Sequence, residues 1–266
     1  RVASCGAGAV VTKSIGVSPN HGYPGPVSVQ TECGFLNAMG LPNPSYKEFA
    51  SELQEAKGDV PVIVSIFGRD ADEFVEVARG LGGADAFELN VSCPHAKGYG
   101  SEIGSDPGLV EKITESMKES ADVPVWVKLT PNVTDIVKIG VAAQSGGADA
   151  VVAINTVRGM AIDIDSGHPI LSNRFGGLSG PGIKPIALKC VYDLYAALDI
   201  PIIGVGGISS PEDALEFMMA GANAVQIGSA VYNKIEIFKE VADGMMGYLE
   251  GKGYSLQDII GLAHEV

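Results

Sequence analysis

Lysine, asparagine, serine and cysteine residues stand where long apolar runs end, and they are the groups best equipped for polar chemistry. They read Lys13-Ser14, Ser65, Asn90-Val91-Ser92-Cys93, Lys128 and Asn155-Thr156, followed by Gly206-Gly207 and Gly228-Ser229. Taken singly, each is a strand end bonding its own loop. Together they point to one pocket, because lysine and asparagine in apolar runs are costly without a shared purpose. Lys128, inside Val125-Trp126-Val127-Lys128-Leu129, is the clearest case. The glycines of Gly204-Val205-Gly206-Gly207-Ile208 and Ile227-Gly228-Ser229 fit a phosphate-binding backbone, since glycine lets N–H groups approach an anion without a Cβ in the way. The plainer reading of the same glycines is a pair of tight turns.

Cys93 precedes Pro94 and opens a loop holding Gly98, Gly100 and Gly104, the composition of a lid. Its thiol is either a small buried hydrophobe or an acid–base group with an adjusted pKa. Cys5, Cys33 and Cys190 have no such setting, and no CxxC pair occurs. The four histidines are dispersed, and Asp163 and Asp165 have no third ligand at metal spacing, so no metal site is expected.

These residues need elements to position them. Seven apolar runs carry the strand signal: 9–14, 61–67, 86–93, 124–130, 150–156, 201–208 and 224–231. Amphipathic stretches such as 70–81, 106–120, 134–145 and 210–220 alternate with them. Gly-Gly-Ala-Asp-Ala occurs at 82–86 and 146–150, with Ala-Gly-Ala-Asn-Ala at 220–224, and Val-Pro-Val or Ile-Pro-Ile opens runs at 60–62, 123–125 and 200–202. This is a βα period, which leaves a TIM barrel or a doubly wound sheet. No GxGxxG follows any run, so the expectation is an α/β TIM (β/α)8 barrel forming one domain over residues 1–266. Eight strands are needed and seven are visible, so the first strand and helix are expected to be missing upstream.

Composition narrows the partners. The net charge of −14 disfavours nucleic acid and anionic membrane surfaces, both of which need a basic footprint. No run approaches the ~20 apolar residues of a membrane span, and no signal peptide is visible, so reduced thiols in the cytoplasm are expected. Glycine, at 35 residues, stands at nearly twice ordinary usage of ~7%, in keeping with backbone held close to a ligand.

As a set, Asn90-Val91-Ser92-Cys93-Pro94, Lys128-Leu129-Thr130-Pro131-Asn132, Ile154-Asn155-Thr156, Gly176-Gly177-Leu178-Ser179-Gly180 and Gly204-Val205-Gly206-Gly207 resemble the FMN-dependent dihydroorotate dehydrogenases. The match runs in order from about residue 9 to 262. The cysteine and the phrase from Lys128 to Ile136 are most similar to the class 1B catalytic subunit. The resemblance implies FMN held by Lys13, Ser14, Ser65, Asn90, Lys128, Ile154, Gly180, Gly206, Gly207, Gly228 and Ser229. It implies dihydroorotate or orotate held by Lys13, Asn37, Ala38, Met39, Gly40, Leu41, Asn90, Asn155 and Thr156. Cys93 matches the base that takes the proton from C5 while hydride leaves C6 for flavin N5.

For the electrons, the resemblance implies a homodimer of this chain within a heterotetramer, with an FAD/[2Fe–2S] partner subunit that reduces NAD+. The class 1A alternative is a homodimer linked to fumarate. Two departures stand out: Ser65 where many relatives have Asn, and His95 where Asn is commoner. Competing readings are a flavin barrel acting on another dihydropyrimidine, a phosphate-binding aldolase or isomerase with Lys128 as Schiff base, and an idle FMN-binding subunit.

Overall fold

A computed structural model describes residues 2–56, 58–91 and 103–265. The chain runs β1 (Val10–Val11), β2 (Ser28–Thr31), β3 (Gly34–Asn37), α1 (Tyr46–Ala56), β4 (Val62–Ile66), α2 (Ala71–Gly80) and β5 (Ala86–Asn90). It continues through α3 (Pro107–Ser120), β6 (Val125–Leu129), α4 (Ile136–Ser145), β7 (Ala150–Ala153), β8 (Val157–Gly159), β9 (Ile162–Asp163) and β10 (His168–Pro169). Then follow β11 (Gly176–Ser179), α5 (Lys184–Tyr195), β12 (Ile202–Val205), α6 (Pro211–Met219), β13 (Ala224–Gln226) and α7 (Ile237–Lys252).

All seven expected strands form one parallel sheet, in the order β1-β4-β5-β6-β7-β12-β13. The repeated phrases explain its register. Val62, Val125 and Ile202 each follow a strand-opening proline, and each donates its N–H to an acidic or amide side chain of a repeat: Asp85 at 2.7 Å, Asp149 at 2.7 Å and Asn223 at 2.9 Å. The N–H groups of Asp85, Asp149 and Asn223 donate back to the carbonyls of the same three residues. Each pair therefore ties one strand's start to its neighbour's. Asp149→Ala leaves the Val125 N–H without its acceptor, and thermal melting is expected to show a loss of about 1–3 kcal/mol.

The sheet is strongly curled. Gln226 on β13 donates to Glu88 on β5 at 2.7 Å, although four strand steps separate them in the sheet. In a flat sheet that separation is about 19 Å, at ~4.8 Å per step, so only a barrel-like curl brings the two together. This is the TIM-barrel architecture, with the sheet open between β1 and β13 among the described residues.

Alternation divides the strand residues between two environments. Val62, Val64, Ile66, Phe87, Leu89, Val125, Val127 and Leu129 face the helices and form the main core. Trp126, Ala150, Val152, Ile203 and Val205 make a smaller interior cluster. Fully buried Phe217 of α6 fills the space over Gly204, where a Cβ would meet its ring at 2.5 Å. Phe217→Ala is expected to cost about 3–5 kcal/mol, read as a shift in denaturant midpoint.

Three details differ from the sequence expectation. The paired strands stop short of the apolar runs, β5 at Asn90 and β13 at Gln226, because the chain leaves the ladder at the carboxyl rim while its residues stay apolar. The fourth helix starts at Ile136 rather than Thr134, since the Asp135 carboxylate caps it by accepting from the Lys138 N–H at 3.3 Å. A four-stranded antiparallel sheet, β2-β3-β11-β8, and a β9–β10 hairpin stand apart from the barrel strands. Asp163, exposed to solvent, accepts from the N–H groups of Asp165 and Ser166 and so shapes the hairpin turn.

Candidate active site

Because the barrel strands are parallel, their carboxyl ends share one rim, and those of the polar residues singled out in the sequence that the structure describes lie there. A cavity of about 220 Å³ is lined by Lys13, Ser14, Asn37, Met39, Gly40, Leu41, Pro42, Asn90, Asn155 and Thr156. Lys13 and Ser14 follow β1, Asn90 ends β5, and Asn155 and Thr156 follow β7. The antiparallel sheet supplies the wall: Asn37 ends β3 and donates through Nδ2 to the Gly177 carbonyl of β11 at 3.4 Å. Ala38 does not line the cavity, since it is fully buried beside Leu36 and Leu171.

The lining side chains are joined in a line. Ser65 and Ser14 share a hydroxyl–hydroxyl hydrogen bond at 2.8 Å. Asn90 Nδ2 donates to Ser14 Oγ at 3.0 Å, and Asn155 Nδ2 donates to Asn90 Oδ1 at 3.2 Å. Asn155 Oδ1 in turn accepts from the Thr156 N–H at 2.8 Å. These bonds fix which way each carboxamide faces, so the cavity wall is preorganised. Lys13 forms no ion pair among the described residues, so its ammonium brings uncompensated positive charge to the cavity edge. That suits a small anionic ligand.

Beneath the cavity, Lys128 of β6 donates from Nζ to Glu88 Oε1 at 3.1 Å and to Gln226 Oε1 at 3.2 Å. Glu88 is only 1% exposed. The charge that looks unaffordable in an apolar strand is therefore paired with a buried carboxylate on its neighbour β5. Ile154 is buried, so only its backbone is available to a ligand.

The glycines sit at the other side of the rim. Gly180, Gly206 and Gly207 have φ of 100°, 140° and 78°, values that L side chains rarely adopt. A Cβ at Gly207 would stand 2.8 Å from the Gly180 carbonyl oxygen, which shows how closely the two turns approach. At Gly228 no heavy atom lies within 4 Å of that point, so the space over the end of β13 is open.

An ion pair anchors this corner. Lys184 Nζ donates to Asp213 Oδ1 at 2.6 Å, and Asp213 Oδ2 accepts from the Ser209 N–H and hydroxyl at 2.8 and 2.9 Å. Burial alone would raise the Asp213 carboxyl, but the bonds from Lys184 and Ser209 outweigh it and hold the group below the usual carboxylate range. A folded value below the unfolded one contributes stability above the unfolded value and loses it as pH falls through the folded one. Stability is therefore expected to drop as pH falls below about 4. Asp213→Asn should flatten that acid limb in urea titrations between pH 3 and 6.

Cys93, His95, Gly98 and Gly100 lie outside the described residues. Gly104, at the far end of that loop, is buried in a short 3-10 turn, Ile103–Ser105. Several contributors had escaped the sequence reading. Buried Asn43 accepts from the N–H groups of Gly16 and Ser45 and donates to the Leu41 carbonyl, which shapes the 39–42 segment. Asn132 donates to the Thr156 carbonyl at 3.0 Å and so braces another wall residue. Glu88 and Gln226 carried one usable signal: they are polar residues inside strands otherwise apolar.

A curled parallel sheet with a polar, preorganised cavity and a glycine cradle at its carboxyl rim defines a TIM-barrel enzyme site. The dihydroorotate dehydrogenase family model matches residues 1–249. The chain is 65% identical over 266 residues to "Dihydroorotate dehydrogenase B (NAD(+)), catalytic subunit" of Methanosarcina acetivorans, covering 98% of this chain and 86% of that protein. Proteins of the same name are 57% identical in Pyrococcus furiosus (98% and 88% covered) and 53% in Methanocaldococcus jannaschii (100% and 89%). A crystal structure of DHODH in complex with ferulenol from Eimeria tenella has a TM-score of 0.84 at 23% identity, covering 100% of this chain and 81% of that one, and shares the fold. The chain belongs to the dihydroorotate dehydrogenase family and is an oxidoreductase.

Proposed function

We propose that the chain oxidises dihydroorotate to orotate in pyrimidine (UMP) biosynthesis, with FMN as its cofactor. The observation that carries this reading is the convergence of the Lys13 ammonium with the carboxamides of Asn37, Asn90 and Asn155 on one small cavity. Its volume, about 220 Å³, lies below the ~300–1,000 Å³ of drug-sized pockets and suits a single ring. Dihydroorotate carries one carboxylate and an imide. Lys13 answers the carboxylate, while each carboxamide can donate to an imide carbonyl and accept from an imide N–H.

The residues present also fit FMN. Gly180, Gly206 and Gly207 bring backbone close together where any Cβ would collide, and the open space over Gly228, next to Ser229, leaves room for a phosphate. The Ser14 and Ser65 hydroxyls, Asn90 and the Ile154 backbone would meet the ring system, with Lys128 toward its pyrimidine end. When bound, FMN supplies a two-electron acceptor whose reduced form carries negative charge. Lys128 would stabilise that charge. Cys93 removes the C5 proton; the support is its place three residues beyond Asn90, which ends β5 on the cavity wall.

The relatives' names, a catalytic subunit acting with NAD(+), support a second subunit and NAD+ as the electron acceptor; that this subunit carries FAD and [2Fe–2S] rests on the resemblance in the sequence. The same reading has two copies of this chain at the centre of a heterotetramer, working in the cytoplasm. No helix among the described residues is long and apolar enough to cross a membrane.

Gly177 tests the wall. A Cβ there would stand 2.0 Å from Thr156 Oγ1, so Gly177→Ala must displace Thr156, a residue of the cavity wall. Steady-state assays are expected to show KM for dihydroorotate raised at least tenfold, with the circular dichroism spectrum unchanged. For the function itself, flavin released on denaturation should have the mass of FMN, and an artificial acceptor should support orotate formation. Turnover of another dihydropyrimidine in preference to dihydroorotate would overturn the assignment.

A further inference from the structure

Glu88, Gln226 and Lys128 form a closed ring of hydrogen bonds inside the barrel. Glu88 gives one carboxylate oxygen to Lys128 Nζ (3.1 Å) and the other to Gln226 Nε2 (2.7 Å), while Gln226 Oε1 accepts from the same Nζ (3.2 Å). The three side chains come from β5, β6 and β13, and Glu88 lies 138 residues from Gln226. Neither Glu88 nor Gln226 lines the cavity, and neither has been given a role above. A buried carboxylate adds little to stability that apolar packing could not supply. Its presence one strand from Lys128 therefore calls for a purpose connected with that lysine.

We propose that Glu88 is a positioning residue that sets the net charge Lys128 presents to a bound flavin, with Gln226 fixing the geometry of the pair. The inference rests on the flavin reading above. The carboxylate offsets part of the ammonium's field, and in a low-dielectric interior such an offset is felt strongly. Too much uncompensated positive charge would hold reduced flavin too tightly for electrons to leave. With Glu88 present, the lysine orients and stabilises the cofactor without trapping its reduced form. Gln226 draws on the second carboxylate oxygen and so tempers the carboxylate in turn.

The test is the two-electron midpoint potential of the flavin-loaded protein, measured by equilibration with a reference dye at pH 7. Glu88→Gln keeps the shape and removes the charge. It is expected to raise the preference for reduced over oxidised flavin at least tenfold, about 30 mV for a two-electron couple. Glu88→Asp restores the charge and should return the ratio to within threefold of the parent. Gln226→Leu frees the carboxylate to act wholly on Lys128, and should move the ratio at least threefold in the opposite direction. That second variant keeps the proposal testable if Glu88→Gln does not fold. Glu88→Gln and Gln226→Leu variants that both hold FMN with a ratio within twofold of the parent, whatever their melting temperature, would show a merely structural glutamate and overturn the inference. A parent protein that neither carries nor takes up FMN would overturn the flavin reading, and this inference with it.

Discussion

Asn90→Ala is expected to lower kcat/KM for dihydroorotate by about 10²–10³-fold while the fold survives. Asn90 is the middle of the polar line: its Nδ2 holds Ser14 and its Oδ1 holds Asn155, at 3.0 and 3.2 Å. Deleting the carboxamide removes both bonds and lets two wall side chains turn away from the cavity. Two hydrogen bonds at about 1.5–2 kcal/mol each amount to roughly two to three decades at 1.36 kcal/mol per decade. Asn90→Asp separates shape from chemistry. It keeps the outline but puts a carboxylate beside an anionic substrate, so it should fold normally and bind orotate more weakly than the alanine variant. Orotate titrations and steady-state kinetics on both variants check this. Alanine and aspartate variants with near-parental kcat/KM would remove Asn90 from the substrate site.

Cys93→Ala is expected to slow flavin reduction by dihydroorotate about 10²–10⁴-fold, the usual contribution of a positioned base. Orotate affinity should change little, because a base acts in proton removal rather than in holding the product. Cys93→Ser should retain part of the rate and move its pH dependence upward, since a hydroxyl needs more alkaline conditions to accept a proton. Single-turnover reduction from pH 6 to 10, with orotate binding measured alongside, separates the two effects. Parental rates in the alanine variant would place the base elsewhere.

The barrel was legible because its signals are local. Three strands, β4, β6 and β12, open with a proline, and the neighbour of each, β5, β7 and β13, is preceded by an Asp or Asn repeat; the two features meet at the paired strand starts, as at Val62 with Asp85. The rim residues were legible for the same reason: in a parallel sheet every strand's carboxyl end reaches one rim, so position along the strand predicts position in space. The antiparallel sheet was not legible. Its strands are three or four residues long among glycines, and Asn37 meets Gly177 across 140 residues of chain. Alternation could not reveal it over so few positions. Glu88 shows an intermediate case. Lys128 announced itself as a charge in an apolar strand, yet its partners lie 40 and 98 residues away, and only the curl of the sheet brings all three together. Asn43 and Asn132 act on the wall through backbone carbonyls and N–H groups of other loops, which no spacing rule records.

The central claim is that this cavity presents dihydroorotate to a bound flavin, and an anaerobic titration tests it most directly. Purified, flavin-loaded protein is mixed with increasing dihydroorotate while the flavin absorbance is followed, with no other electron acceptor present. The account predicts bleaching complete at about one equivalent of dihydroorotate per flavin, and orotate recovered in equal amount. A protein that remains fully oxidised at a large excess of dihydroorotate, while another dihydropyrimidine bleaches it, would contradict the account.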